Sequence, residues 1–145
     1  RELIPMARSF GMAVLPWSPL AGGFLTGKYK RDGSKPSDAR LSEKSPHDCF
    51  SDQCFDVLEE VEKIAKEKNC SPSQLALAWC RQQPGVTSPI IGPRTMEQLK
   101  DNLGAADIEL NTDQLERLDK VSRPGKAQAE FYEADFGPDI FREIL

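Results

Sequence analysis

Two short apolar runs limit what this chain can fold into. Residues 12–15 read MAVL and residues 86–91 read VTSPII. An uninterrupted apolar run is typical of a strand that is covered on both faces in a parallel sheet. Pro16 ends the first predicted strand, and Pro89 removes one backbone donor from the second. Two buried strands form no closed sheet, so the pattern requires neighbouring strands that this chain does not supply.

Apolar residues recur at helical spacing in five further segments. Ser71 with Gln74, and Thr95 with Gln98, have the spacing of capping boxes, which begin helices. The predicted helices cover residues 2–10, 52–69, 72–83 and 96–103, and a last segment that starts at Asn111 or Thr112.

The order of these elements indicates an α/β fold. Strands that alternate with helices are joined as parallel strands by right-handed crossovers. The chain has 145 residues and begins at Arg1 rather than Met. Together with the missing strands, these features predict that the sequence is a fragment of a larger protein.

Composition narrows the class of protein. Hydrophobic residues make up 39% and charged residues 29% of the chain, and the mean hydropathy is -0.50. Without an apolar run of about 18 residues we expect no membrane span. A net charge of -4 argues against a nucleic-acid partner. With no targeting signal, we expect a soluble cytoplasmic protein.

The cysteines do not have the spacing of a zinc site. Cys49, Cys54, Cys70 and Cys80 contain no Cys-x-x-Cys pair, and His47 is the one histidine. We therefore expect no metal, reduced thiols, and burial of Cys80 as a small apolar residue. A nucleophilic pair of Cys49 with His47 is the alternative, but no neighbouring group would orient the imidazole.

The loop after the first predicted strand is long and locally basic. Residues 17–50 are rich in glycine, serine, proline and charge, and loops of this length are usually functional or disordered. Residues 21–40 carry a local excess of three positive charges in an acidic chain. The loop is therefore predicted to receive an anion.

Two candidate binding segments each follow a predicted strand. Residues 17–23 place small residues and a hydroxyl at the end of the first strand. Residues 92–95 lead into a helix whose free N–H groups and dipole favour an anion, and Arg94 adds a bidentate donor for phosphate. In a parallel fold both segments lie on one face, so one phosphate-bearing ligand can contact both. The Rossmann and Walker glycine motifs are absent.

Three motifs, taken in order, resemble the aldo-keto reductase family. They are VLPWSPLAGGFLTGKY at residues 14–29, SPSQLALAW at residues 71–79 and IIGPRTMEQLKDNL at residues 90–103. They resemble the seventh barrel strand, the penultimate barrel helix and the eighth strand with its following helix. The resemblance covers residues 1–122. Residues 123–145 form a C-terminal tail that matches less well.

The resemblance implies a (β/α)8 TIM barrel that binds NADP(H) and transfers hydride to a carbonyl. This chain would supply the seventh and eighth strands. The nicotinamide and pyrophosphate would be lined by Trp17, Ser18, Pro19, Leu20, Ala21 and Gly22. The resemblance places Lys28 and Arg40 in the loop over the cofactor, Gly92, Arg94 and Gln98 at the adenosine 2′-phosphate, and Asp101 and Asn102 at the adenine.

The resemblance also implies that the chemistry lies elsewhere. The family's catalytic Asp, Tyr, Lys and His come from the first half of a barrel of about 250 residues. We therefore expect no catalytic residue here, and we expect the N-terminal half of the barrel and a small carbonyl substrate as partners. Two alternatives stay open: a cofactor-binding regulatory subunit, like the β subunits of voltage-gated potassium channels, and a half-barrel that pairs with itself as a homo-oligomer.

Overall fold

A computed structural model describes residues 3–37, 39, 41 and 50–124 of the chain. Within these ranges all five predicted helices are confirmed. None of them has the length and the apolar composition needed to cross a membrane. The α-helices are α1 (Leu3–Ser9), α2 (Asp52–Glu67), α3 (Pro72–Gln82), α4 (Met96–Leu103) and α5 (Thr112–Val121), and 3-10 helices cover Ala21–Thr26 and Gly104–Asp107.

Side-chain caps fix where α3 and α4 begin. The Ser71 hydroxyl accepts from the Gln74 N–H, and the Gln74 side chain accepts from the Ser71 N–H, both at 3.1 Å. At α4 the Thr95 hydroxyl accepts from the Gln98 N–H at 3.2 Å. However, the Gln98 side chain accepts from the Arg94 N–H at 2.8 Å and not from Thr95. The predicted second capping box is therefore half correct, because the return bond reaches one residue further back.

Helix α2 ends two residues earlier than predicted. Asn69 adopts the left-handed region with φ 54°, where asparagine is tolerated better than most residues. The Cys70 N–H then donates to the Ala65 carbonyl at 2.9 Å. This bond across the helix end satisfies a carbonyl that would otherwise lack a partner.

One of two buried clusters joins α2, α3 and α5. Ile64, Leu75 and Ala78 have 0% exposure at its centre. It fixes the relative positions of the three helices, and we call it the helical core. Its buried members are Val61, Ile64, Ala65, Leu75, Ala78, Leu110 and Leu118.

A second cluster anchors the long loop on the first half of α2. Tyr29 is 1% exposed, stacks with Phe24 at 6.2 Å between ring centroids, and accepts a hydrogen bond from the Leu41 N–H at 2.9 Å. The described part of the loop is therefore packed and not structureless. The buried members of this aromatic cluster are Phe24, Tyr29, Leu41, Cys54, Phe55 and Leu58.

The two predicted strands lie side by side, but neither is a regular strand. The Thr87 N–H donates to the Val14 carbonyl at 2.8 Å, and the Ile90 N–H donates to the Pro16 carbonyl at 2.9 Å. The residue numbers rise together, so the two segments run parallel. Pro16 and Pro89 have no N–H where a parallel ladder would continue, which explains why the regular pattern breaks.

These parallel segments are not buried as the sequence predicts. Leu15 is 54% exposed and Ile90 is 48% exposed. Burial on both faces requires further elements against both faces, and within the described residues those elements are not present. Burial of these strands therefore stays a prediction, because the elements that would cover them are not among the described residues.

The helical core gives a first test of the fold. We expect Ile64→Ala to lower the free energy of unfolding by about 2–5 kcal/mol, because a fully buried side chain leaves a cavity. Leu103→Ala is the control, since Leu103 is 59% exposed and its loss should cost less than about 0.5 kcal/mol. Urea unfolding followed by circular dichroism measures both. Equal losses in the two variants would contradict this packing.

Two glycines with similar backbone conformations give a second test. Gly22 has φ 66°, and a Cβ built on it would lie 2.9 Å from Leu41 Cδ2 in the aromatic cluster. Gly33 has φ 83° with no atom within 4 Å of its Cβ position. Alanine at either position introduces backbone strain. We expect Gly22→Ala to cost about 1–3 kcal/mol more than Gly33→Ala, because only Gly22 has a buried neighbour to displace. Equal unfolding free energies would refute the contact.

Candidate functional site

One cleft lies where the two parallel segments end. Its volume is about 400 Å³, and its walls come from the turn after Pro16, from residues 90–94 and from α4. It brings together the two stretches that the sequence analysis selected. The predicted site residues that line it are Trp17, Ser18, Pro19, Leu20, Gly22, Lys28, Gly92, Arg94, Gln98, Asp101 and Asn102.

Among the described residues of the predicted site, Ala21 alone does not line the cleft. Ala21 packs partly buried against the aromatic cluster, so its methyl group supports the turn from behind. Arg40 lies outside the described residues.

The cleft also contains residues that the site prediction omitted. Gly23 and Pro93 lie within the two stretches selected from the sequence, so the sequence could have predicted both. Ser73 was missed: it lies in the first turn of α3, and only the packing of α3 against the cleft brings it there. The omitted lining residues are Gly23, Thr26, Ser73, Ile90, Ile91 and Pro93.

The turn on the first wall contains unusual backbone conformations. Ser18 and Ala21 have positive φ angles of 57° and 48°, although neither is glycine. Each such residue costs on the order of 1–2 kcal/mol. The Ala21 N–H donates to the Ser18 carbonyl at 3.0 Å, which closes the turn. Strain of this kind concentrates at ligand-binding sites, so it supports a binding role for this wall.

Lys28 supplies the positive charge of the first wall. Its Nζ lies 3.0 Å from the position that a Cβ on Gly23 would occupy, and 5.4 Å from the centroid of the Tyr29 ring. Glycine at position 23 therefore leaves room for the ammonium group beside the turn. Since Tyr29 is buried, the neighbouring Lys28 backbone is held in place.

Other cations of the basic loop bind α2 and not the cleft. Arg31 Nη1 lies 2.7 Å from Asp52 Oδ1, and Lys30 Nζ lies 3.3 Å from Glu62 Oε1. These pairs limit which cations of the loop can contact an anion in the cleft. The acidic face of α2 neutralises part of that excess, and Lys28 is the described cation of the loop that lines the cleft.

The second wall presents backbone and a guanidinium group. Gly92 has no atom within 4 Å of its Cβ position, so its backbone faces open space where a ligand could approach. Arg94 is exposed, and its backbone N–H donates to the side-chain oxygen of Gln98 in the first turn of α4. The Gln98 side chain therefore fixes the loop that carries Arg94, in front of a helix N-terminus that favours anions.

Asp101 connects the cleft to the cap of α3. Its Oδ2 accepts from the Ser71 hydroxyl at 2.8 Å, and its backbone carbonyl accepts from Gln74 Nε2 at 2.8 Å. Asn102 beside it is buried. These bonds hold α4 against the start of α3 and fix the direction of the one carboxylate among the lining residues.

Two of the described cysteines, Cys70 and Cys80, lie in surroundings that favour the neutral thiol. Burial raises the pKa of the Cys80 thiol, and burial is also the main cause of the raised pKa of Cys70. Both thiols therefore stay protonated, and the predicted burial of Cys80 is confirmed. Cys49 and His47, which formed the alternative nucleophilic pair, lie outside the described residues.

The lining residues fit an extended ligand with a flat ring and phosphate groups. Trp17 is 69% exposed and offers a ring face. Among the described lining residues there are two cations, Lys28 and Arg94, and one carboxylate, Asp101. The open backbone at Gly92 adds a surface that a side chain would have filled. A dinucleotide has this chemistry.

Comparison with known proteins gives the family. The family model described as "Aldo/keto reductase family" matches residues 1–123. The chain is 36% identical over 132 residues to the uncharacterized oxidoreductase YrpG of Bacillus subtilis, covering 90% of this chain and 39% of that protein. Over 122 residues it is 33% identical to the probable aryl-alcohol dehydrogenase AAD4 of Saccharomyces cerevisiae, covering 83% of this chain and 37% of that protein.

A third relative carries a different name. The chain is 37% identical over 111 residues to a probable voltage-gated potassium channel subunit beta of Arabidopsis thaliana, covering 74% of this chain and 34% of that protein. The chain thus spans less than half the length of these three relatives. The matched family is one of oxidoreductases, and it implies a (β/α)8 barrel. With the family model matched over most of its length, this chain belongs to the aldo/keto reductase family.

Proposed function

We propose that this chain is the cofactor-binding C-terminal part of an aldo-keto reductase that uses NADP(H) to reduce an aldehyde or a ketone to an alcohol. The observation that carries the proposal is that one cleft contains every described residue of the predicted cofactor site except Ala21. The predictions came from two stretches of sequence far apart in the chain. Their convergence in one cleft supports a shared ligand.

Each wall of the cleft has a role in this proposal. The strained turn from Trp17 to Gly22 lines the nicotinamide and the pyrophosphate, with the Lys28 ammonium beside it. Arg94 faces the adenosine 2′-phosphate as a bidentate donor. Asp101 and Asn102 lie at the adenine. When bound, the cofactor supplies hydride, and the chain's residues orient it and neutralise its phosphates.

The place of the chain in the barrel is also part of the proposal. The parallel pairing of Val14 with Thr87 supports these segments as the seventh and eighth strands. Leu15 and Ile90 are exposed apolar side chains that the N-terminal half of the barrel would cover. In the alternative, a second copy of this chain covers Leu15 and Ile90 in a homo-oligomer. The binding partner proposed here is the N-terminal half, and the substrate is a small carbonyl compound.

Arg94 gives the direct test of the cofactor assignment. In the whole protein, we expect Arg94→Ala to weaken NADPH binding by about 10–100-fold and NADH binding far less, because a charge-assisted contact to phosphate is worth about 1.5–3 kcal/mol. Fluorescence titration with both nucleotides measures the ratio of dissociation constants. Lys100→Ala is the matched control, since Lys100 is an exposed cation on α4 that does not line the cleft. If Arg94→Ala left the ratio of the dissociation constants for NADPH and NADH unchanged, Arg94 would not recognise the 2′-phosphate.

The isolated chain gives a test of where the chemistry lies. We expect the purified 145-residue chain to show no NADPH-dependent reduction of aldehydes or ketones, because the catalytic Asp, Tyr, Lys and His of the family come from the first half of the barrel. Loss of NADPH absorbance with a panel of aldehydes measures this, against a heat-treated sample of the chain. Carbonyl reduction above that control would contradict the assignment.

A regulatory subunit is the second candidate function. Similarity to the Arabidopsis protein named as a potassium channel subunit beta is the observation that favours it. The two functions differ in turnover: a reductase cycles repeatedly with excess NADPH and aldehyde. A cofactor-sensing subunit retains its nucleotide and shows at most slow oxidation. Steady-state and single-turnover kinetics on the whole protein separate the two.

A further inference from the structure

Arg31 is bound by three carboxylates on one stripe of α2. Its Nη1 lies 2.7 Å from Asp52 Oδ1, and its Nη2 lies 2.8 Å from Asp56 Oδ1 and 2.9 Å from Glu59 Oε1. The guanidinium also lies 5.4 Å from the centroid of the Phe55 ring. An isolated surface ion pair contributes little, but several charges in one network with a planar Arg hold a fixed geometry.

Arg31 offsets the negative charge on this stripe of α2. The hydrogen bonds that Arg31 donates to Asp56 and Glu59 are the largest causes that hold its pKa above the ordinary value. Without Arg31, three carboxylates spaced along one helix face would repel each other and lose their shared cation. The loop is therefore attached to α2 by an ion-pair network that fixes Arg31 and reduces the repulsion among the three carboxylates.

The attachment lies three residues from Lys28. Between them, Tyr29 is buried in the aromatic cluster. The Lys30 N–H donates to the Ser34 carbonyl at 3.0 Å, which closes the turn that follows. The segment from Lys28 to Arg31 is thus held at Tyr29 and at Arg31, with the Lys28 ammonium beside Gly23 in the cleft.

We propose that Arg31 is a positioning residue for cofactor binding: by holding the loop on α2, it keeps the Lys28 ammonium at the cleft wall where it contacts the dinucleotide phosphates. The part concerning the dinucleotide rests on the proposed function. Arg31 does not line the cleft, so it acts through Lys28. Its network is exposed to solvent, so salt weakens the attachment.

Arg117 provides a matched control. Its guanidinium lies 2.7 Å from Glu60 and 2.9 Å from Glu67 on α2, so it has the same chemistry on the same helix. It joins α5 to α2 and does not line the cleft. Both substitutions remove a guanidinium from an ion-pair network on α2, so the proposal expects only Arg31→Gln to weaken NADPH binding.

The first experiment needs no cofactor. Hydrogen exchange in the whole protein follows the amides of Lys30, Gly33 and Leu41, whose N–H groups are hydrogen-bonded in the loop. We expect Arg31→Gln to speed their exchange by about tenfold and Arg117→Gln to leave it unchanged. Added sodium chloride should speed exchange more in the wild type than in Arg31→Gln, where the Lys30–Glu62 pair is the remaining ion pair described between this segment and α2. Exchange in Arg31→Gln equal to wild type would overturn the proposal.

The second experiment is a double-mutant cycle on NADPH affinity. We expect Arg31→Gln to raise the dissociation constant by about tenfold, and Lys28→Ala combined with Arg31→Gln to match Lys28→Ala alone within about twofold. Fully additive losses would show that Arg31 acts without Lys28, which overturns the proposal. If the wild-type protein binds no NADPH, the proposed function fails. The exchange experiment then decides on its own whether Arg31 positions the loop.

Discussion

The apolar stripe of α2 is the contact on which the rest of the described chain depends. Val61, Ile64 and Ala65 enter the helical core with α3 and α5, while Phe55 and Leu58 enter the aromatic cluster with the loop. One helix therefore fixes both halves of the molecule relative to each other. The two walls of the cleft come from these halves, the first from the loop and the second from the segment and helix that follow α3. The cleft also depends on α3, which packs against α2, against α4 and against the 3-10 helix Ala21–Thr26.

The sequence predicts the helices well because their signals are local. The Ser71 to Gln74 capping box lies within four residues, and so does the apolar spacing of each helix. For the strands, the sequence shows that Pro89 lacks a donor, but which ladder bonds the two prolines interrupt depends on how the segments pair. The apolar run indicates that covering elements are needed, and Leu15 is exposed because none of the described residues covers it.

The same distinction holds for the site. Both stretches of the cleft could be selected from the sequence, since glycines after a strand and an arginine before a capped helix are visible within a few residues. The motif resemblance added Asp101 and Asn102, which no local rule selects. Ser73 could not be found, and neither could the binding of Arg31 by α2, because both depend on contacts between segments that are distant in the chain. The charge count of the loop shows an excess of cations, but it does not show that carboxylates on α2 form ion pairs with some of them.

Asp101 shows how ligand binding and helix packing are linked in this chain. Its carboxylate lines the cleft and at the same time accepts the Ser71 hydroxyl that caps α3. A ligand that contacts this carboxylate therefore acts on the contact between α3 and α4 as well. By mass action, any ligand that prefers the capped geometry stabilises that contact, and a loosened cap lowers the affinity for the ligand by the same free energy. The stability of the α3 N-terminus therefore contributes to the ligand affinity of the cleft, although Ser71 itself does not line it.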